Sequence, residues 1–144
     1  MPTPFVAINR NGPLVEIVLD RPENGNLINA EMSDAIIAAV SSLDDEVKLV
    51  RIGSSGPDFC KGRQSPMPPA DAKPSAETLR RVVAAPPLAL YDALKAVRVP
   101  VVSVVRGEAL GVGCALAGVC DVALAADDAV FQIPEMERDI PPTL

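Results

Sequence analysis

PVVSVVRGEALGVGCALAGVCDVALA, residues 100–125, is the stretch whose reading decides the fold. Val101, Val102, Val104 and Val105 are β-branched and predict a buried strand. The run stops at Arg106-Gly107 and passes through Gly111-Val112-Gly113, after which Cys114-Ala115-Leu116-Ala117 opens a helix. A strand that feeds a glycine-bearing turn at a helix N-terminus presents free backbone N–H groups at the positive end of the helix dipole. Such a place binds a phosphate or stabilises an oxyanion. Beyond it, Asp121–Ala125 reads as a short strand and Phe131-Gln132-Ile133 as another.

Upstream, Phe5–Arg10 and Leu14–Leu19 read as two strands joined at Asn11-Gly12-Pro13, a hairpin signal. Asp20–Asn26 is an irregular loop. Asn29 suits an N-cap for a helix near Ala30–Leu43, where Met32, Ile36, Ala39, Val40 and Leu43 recur at helical spacing. Val47–Gly53 is the next strand, broken by Gly53-Ser54-Ser55-Gly56-Pro57. The proline-rich run QSPMPPADAKPS, within a loop of about 64–76, reads as a mobile loop or lid. A helix resumes near Glu77, Pro86-Pro87 is expected to interrupt it, and a second helix from about Leu88 to Val97 leads to the strand at Pro100. Strands alternating with helices predict an α/β layered fold. The chain ends at Pro141-Pro142-Thr143-Leu144 without an amphipathic closing element or a polar tail, and so reads as cut short.

The 144 residues are one domain's worth of sequence, 49% hydrophobic but only 3% aromatic, so the core must come from Ala, Val, Leu and Ile. A net charge of −6 leaves no basic stripe for nucleic acid. No run approaches the roughly 18 apolar residues of a membrane span. The sequence has no histidine, and its three cysteines (Cys60, Cys114, Cys120) form no CxxC pair, which argues against a metal site and against a histidine base. An odd cysteine count without a signal-peptide pattern predicts reduced thiols and a cytoplasmic location.

Two glycine turns each follow a predicted strand: Phe59-Cys60-Lys61-Gly62-Arg63 and Gly111-Val112-Gly113. Aimed at one point, their N–H groups make a two-donor oxyanion hole; the plainer alternative is that the glycines permit tight turns or close packing. Glu135 follows Pro134 at the end of a short apolar strand, where a partly desolvated carboxylate can act as acid or base. A solvated surface glutamate is the competing reading. Asp121 reads as a turn-former. Without a basic partner, Cys60 and Cys114 read as packing residues. Lys61, Arg63 and Arg106 are exposed cations by default, with Arg63 the best placed to meet an anion.

In their order and spacing, LVEIVLDRPENGNLINAEM, DFCKGRQ, PVVSVVRGEALGVGCALAGVCDVALAADDAVFQIPE and DIPP resemble the crotonase family, the enoyl-CoA hydratase/isomerase superfamily. The resemblance implies that residues 1–144 are an incomplete N-terminal core of a crotonase-like spiral of ββα units. The C-terminal helical region that supports trimers or hexamers would be missing, leaving apolar surface uncovered. It implies an acyl-CoA partner, with a coenzyme A thioester as substrate and no other cofactor, and neither a nucleic-acid nor a membrane partner. The thioester carbonyl would accept from the backbone N–H groups of Arg63 and Val112, with Lys61, Gly62, Gly111 and Gly113 at the substrate or CoA contacts and Glu135 as the acid/base. The Arg63 side chain would reach toward the acyl site or the CoA phosphates. The family's hydratases carry a second glutamate directly after the cysteine of the glycine turn, where this sequence has Ala115. Asp139-Ile140-Pro141-Pro142 resembles the single-glutamate hydroxycinnamoyl-CoA hydratase-lyases. Hydration, isomerisation or retro-aldol lysis of an acyl-CoA is thus expected; a binding homologue that has lost catalysis, or an inactive fragment, is the alternative.

Overall fold

The computed structural model describes residues 4–64 and 69–138. Strands β1 (Val6–Asn11) and β2 (Leu14–Leu19) form the expected antiparallel hairpin, closed by Gly12-Pro13 with Asn11 opposite Leu14. Along β2 the period-two pattern places Val15, Ile17 and Leu19 on the core face. Helix α1 (Ala30–Ser41) starts where expected, the Asn29 side chain accepting the Met32 N–H at 2.8 Å. Its buried face is Met32, Ala35, Ile36 and Val40. Strand β3 (Leu49–Ser54) then pairs in parallel with β2.

Strand β4 (Val101–Val105) pairs with β3, and its C-terminal neighbours are β5 (Glu108–Leu110), α4 (Val112–Val119), β6 (Val122–Ala125) and β7 (Val130–Gln132). The main sheet runs β1-β2-β3-β4-β6, parallel except for the hairpin, while β5 and β7 form a separate parallel pair. A 3-10 turn, Pro134–Arg138, follows β7. The α/β expectation therefore holds. The core lies between the main sheet and helices α1 and α3 (Ala85–Lys95), which pack on each other. It is mostly aliphatic, yet its largest fully buried side chain is Phe59, and Tyr91 is buried with it. Each such large apolar side chain contributes roughly 1.5–3 kcal/mol by leaving water.

Two expectations need correction. Pro86-Pro87 does not interrupt the helix: α2 (Ala76–Leu79) passes through a π-helical segment, Arg80–Ala84, directly into α3, with the prolines in its first turn. The wider π-turn leaves room for the rings, and the first helical turn tolerates the missing N–H groups. Strand β5 was unexpected, because three residues are too short for a periodicity and its pairing comes from β7, far along the chain. Of the loop read at about 64–76, residues 65–68 lie outside the described residues. Its described part holds a short 3-10 turn at Ala70–Ala72 and ends at Ser75, whose hydroxyl caps α2.

Candidate active site

The two glycine turns are stitched to one another. Cys60 N–H donates to Glu108 O at 3.0 Å and Leu110 N–H to Cys60 O at 2.9 Å, so residues 60–63 run beside β5. On the other flank Ile28 N–H donates to Gly62 O at 3.0 Å and Gln64 N–H to Ile28 O at 2.9 Å. In this parallel bridge the pairing is made by Gly62 and Gln64, and the Arg63 N–H faces away from it. Among the described residues that N–H has no acceptor. In the second turn Gly111 N–H is held by Gln132 O at 2.9 Å and Gly111 O accepts from Ala115 N–H. Val112, as the first residue of α4, keeps an unspent N–H for the same geometric reason as any helix N-terminus.

Two of the glycines are required by close approach. Gly111 has φ +51°, and a Cβ there would lie 2.8 Å from Glu135 Oε1. At Gly113 a Cβ would run into the Cys60 carbonyl oxygen. Glu135 is delivered to this place because β7 runs alongside β5, so the turn after β7 meets the turn after β5. Its side chain is half-buried, and its Oε2 is sealed from solvent with no hydrogen-bond partner among the described residues. The structure thus sets the Cys60–Arg63 turn beside β5 and packs Gly111 against Glu135 and Gly113 against Cys60.

Lys61 and Arg106 are exposed, as expected, whereas Arg63 is half-buried and departs from its reading. Arg63 turns its guanidinium away from the turn, donating to Val82 O at 2.8 Å and to Val83 O. In an α-helix these carbonyls would accept from residues 86 and 87, which are the N–H-less prolines. The Arg63 side chain therefore replaces two missing helix bonds rather than reaching toward the acyl site or a phosphate. Burial holds its pKa below the ordinary arginine range, opposed by Tyr91. Lys61 is engaged by Glu108 at 2.5 Å and Asp58 at 3.7 Å. Arg106 is spent on the carbonyls of Gly56 and Ser54. Asp121 accepts the Val101 N–H at 2.8 Å, the turn role expected of it.

Burial pushes the Cys60 thiol up to about 11, despite the help of nearby backbone groups, and the Cys120 thiol likewise. Cys114 is raised in the same direction, first by burial and then by Glu135. Packing, not nucleophilicity, fits all three. No cluster of three metal-ligating side chains occurs among the described residues, and no helix there is long and apolar enough to cross a membrane.

Sequence reasoning missed Tyr91, read only as one position of a plain helix. It is 7% exposed, and its hydroxyl has no hydrogen-bond partner among the described residues. The hydroxyl is held up to about 12, chiefly by burial and then by Cys60, Glu135 and Cys114, with Arg63 pulling the other way. Those neighbours place it at the same site. The available signal was the chain's single tyrosine on a helix face otherwise made of Pro87, Leu90 and Leu94. Tyr91 also lines a cleft of about 410 Å3 between α3 and α4, with Leu88, Cys114, Ala115 and Val119 among its walls. Asp139–Pro142 lies outside the described residues.

Comparison with known proteins bears on this geometry. Residues 9–143 match the family model described as Enoyl-CoA hydratase/isomerase. A "Probable enoyl-CoA hydratase echA8" of Mycobacterium tuberculosis is 34% identical over 95% of this chain and 52% of its own length. A "Probable enoyl-CoA hydratase 2, mitochondrial" of Arabidopsis thaliana is 30% identical over 93% and 46%. Among solved structures, an enoyl-CoA hydratase of Mycobacterium smegmatis superposes with a TM-score of 0.84 at 29% identity, covering 96% of this chain and 54% of that one. An enoyl-CoA hydratase-like protein of Thermobifida fusca, solved in complex with acetoacetyl-CoA, gives 0.81 at 25% identity over 96% and 57%. The chain spans about half the length of the curated relatives it matches. With the match extending over nearly all its residues and the fold shared, the chain belongs to the enoyl-CoA hydratase/isomerase family.

Proposed function

We propose that the chain carries the thioester-activating part of an acyl-CoA hydratase, isomerase or lyase, with Glu135 as its single principal acid/base. The observation that carries this reading is that two turns hydrogen-bonded side by side each keep an unspent backbone donor, at Arg63 and Val112, with a carboxylate set against Gly111. A thioester carbonyl placed between the donors would accept both hydrogen bonds. Negative charge grows on that oxygen as the enolate forms, so fixed donors favour the transition state over the bound substrate. One such donor is worth roughly 3–4 kcal/mol. In hydration, water oxygen bonds to the β-carbon as the double-bond electrons move onto the thioester. Glu135 takes the water's proton and then returns it to the α-carbon.

Coenzyme A thioesters are the substrate class, acetoacetyl-CoA being the ligand of one structural relative. No further cofactor is needed for this cycle. A trimer or hexamer of the full-length form and a cytoplasmic site of action belong to the same proposal. The test is turnover of crotonyl-CoA, followed by loss of its conjugated-thioester absorbance, in wild type and Glu135→Gln. The substitution keeps the shape, removes the proton carrier and should lower the rate about 10²- to 10⁴-fold while acetoacetyl-CoA still binds. Ala115 favours a second reading, a binder without catalysis, because it offers no second carboxylate. Indifference to Glu135→Gln would select that second reading.

A further inference from the structure

We propose that the Tyr91 hydroxyl is a substrate-positioning donor of this site, hydrogen-bonding an oxygen carried on the β-carbon of the acyl group. The proposal rests on the acyl-CoA reading above. It starts from two sealed polar atoms that have no partner among the described residues, Tyr91 OH and Glu135 Oε2. Leaving a buried polar atom unpaired costs roughly 1–3 kcal/mol, so two such atoms in electrostatic contact, one of them on a residue that lines the α3–α4 cleft, mark a place shaped for something else. Neither bonds the other, although the carboxylate is within electrostatic reach of the hydroxyl.

A single oxygen between them answers both needs, accepting from Tyr91 while its own proton, if it has one, goes to Glu135. A hydroxyl, a carbonyl or an adding water at the β-carbon has that chemistry. The surroundings agree. Tyr91 lines the cleft between α3 and α4 together with Cys114 and Ala115; Leu88, Gly118 and Val119 give it apolar wall suited to a short acyl chain, and Asp92 and Lys95 line it as well. Ala115 supplies no protic group on that wall, and Tyr91 stands opposite it on α3. The hydroxyl stays protonated, and hence a donor, throughout the neutral range. Helix α3 is itself fixed by the Arg63 guanidinium at the carbonyls just before it, so the donor and the proposed Arg63 N–H are set by the same residue.

The experiment compares two four-carbon thioesters that differ only in the β-oxygen, acetoacetyl-CoA and butyryl-CoA, by calorimetry on wild type and Tyr91→Phe. Wild type should prefer acetoacetyl-CoA, and Tyr91→Phe should weaken it about tenfold, the size of one hydrogen bond, while leaving butyryl-CoA unchanged. Equal loss for both ligands, or retention of the preference in Tyr91→Phe, would overturn the proposal. If the variant does not fold, wild type alone decides through other β-oxygen ligands. Equal affinity for butyryl-CoA, 3-hydroxybutyryl-CoA and acetoacetyl-CoA overturns the assignment, and a preference for both oxygenated ligands supports it. Binding of none of these thioesters by wild type would instead overturn the acyl-CoA reading, and this assignment with it.

Discussion

Helix α4 carries two glycines in opposite situations, and the contrast is testable. Gly113 faces the Cys60 carbonyl so closely that a methyl group cannot enter without moving the Cys60–Arg63 turn, whereas nothing lies within 4 Å of a Cβ at Gly118. Gly113→Ala should therefore lower the unfolding free energy by about 1–3 kcal/mol and weaken acetoacetyl-CoA binding. Gly118→Ala should raise it by up to about 1 kcal/mol through helix propensity alone. Thermal denaturation of the two variants checks both signs. The thiols set an alkaline limit. Cys60 and Cys120 have native values raised from 9.0 to about 11, so above pH 9 the unfolded chain loses protons that the native chain retains. Stability is then intact below pH 9 and falls as pH rises toward 11, by up to about 3 kcal/mol for Cys60. Denaturant melts of Cys60→Ala/Cys120→Ala should lose most of this slope; an unchanged slope would assign it elsewhere. At this scale the sequence was legible wherever a residue type dictates backbone behaviour, as at Gly111, Gly113 and the Asn29 cap. It was silent on Tyr91, whose meaning depends on what surrounds the hydroxyl.

At the scale of elements, the prolines and Arg63 form one device. Pro86 and Pro87 leave the carbonyls of Val82 and Val83 without their helical donors, and the guanidinium supplies both bonds from another part of the chain. Arg63→Met keeps the aliphatic stem but orphans two carbonyls, each worth roughly 1–3 kcal/mol when buried. The expected result is a destabilised α2–α3 helix, read as faster amide exchange over residues 76–95. Replacing both prolines by alanine restores the local donors, so Arg63→Met should cost much less in a Pro86→Ala/Pro87→Ala background. A double-mutant cycle with no coupling would show that the guanidinium merely rests there. Sequence reading could not see this because a proline's cost is local and its remedy is not. The hairpin, α1 and the strand–turn–helix of β4 to α4 were legible because their signals are local. Strand β5 was not, since its hydrogen bonds come from β7.

Over the whole molecule, the sheet ends at an edge that is apolar on both faces. Strand β6 is the last of the five, and all four of its residues are exposed, with Val122 at 48% and Leu124 at 57%. Val104, paired with Leu124, extends that apolar surface, and Val130 and Phe131 on β7 are exposed as well. An exposed, unpaired, hydrophobic edge strand offers both backbone groups and side chains to another copy, and the usual safeguards of charge or proline are lacking within Val122–Ala125. The net charge of −6 opposes association only at long range and is screened by salt. These 144 residues should therefore self-associate, increasingly as ionic strength rises, with the β6 edge as the contact. Val122→Lys/Leu124→Lys places two like charges on that edge and leaves the core residues Val101, Val105 and Leu116 untouched. Light scattering against concentration and salt should then show an associating wild type and a variant that stays monomeric with the same circular dichroism. Association undiminished in the variant would move the contact off β6, and the next surface to charge would be Phe131 on β7.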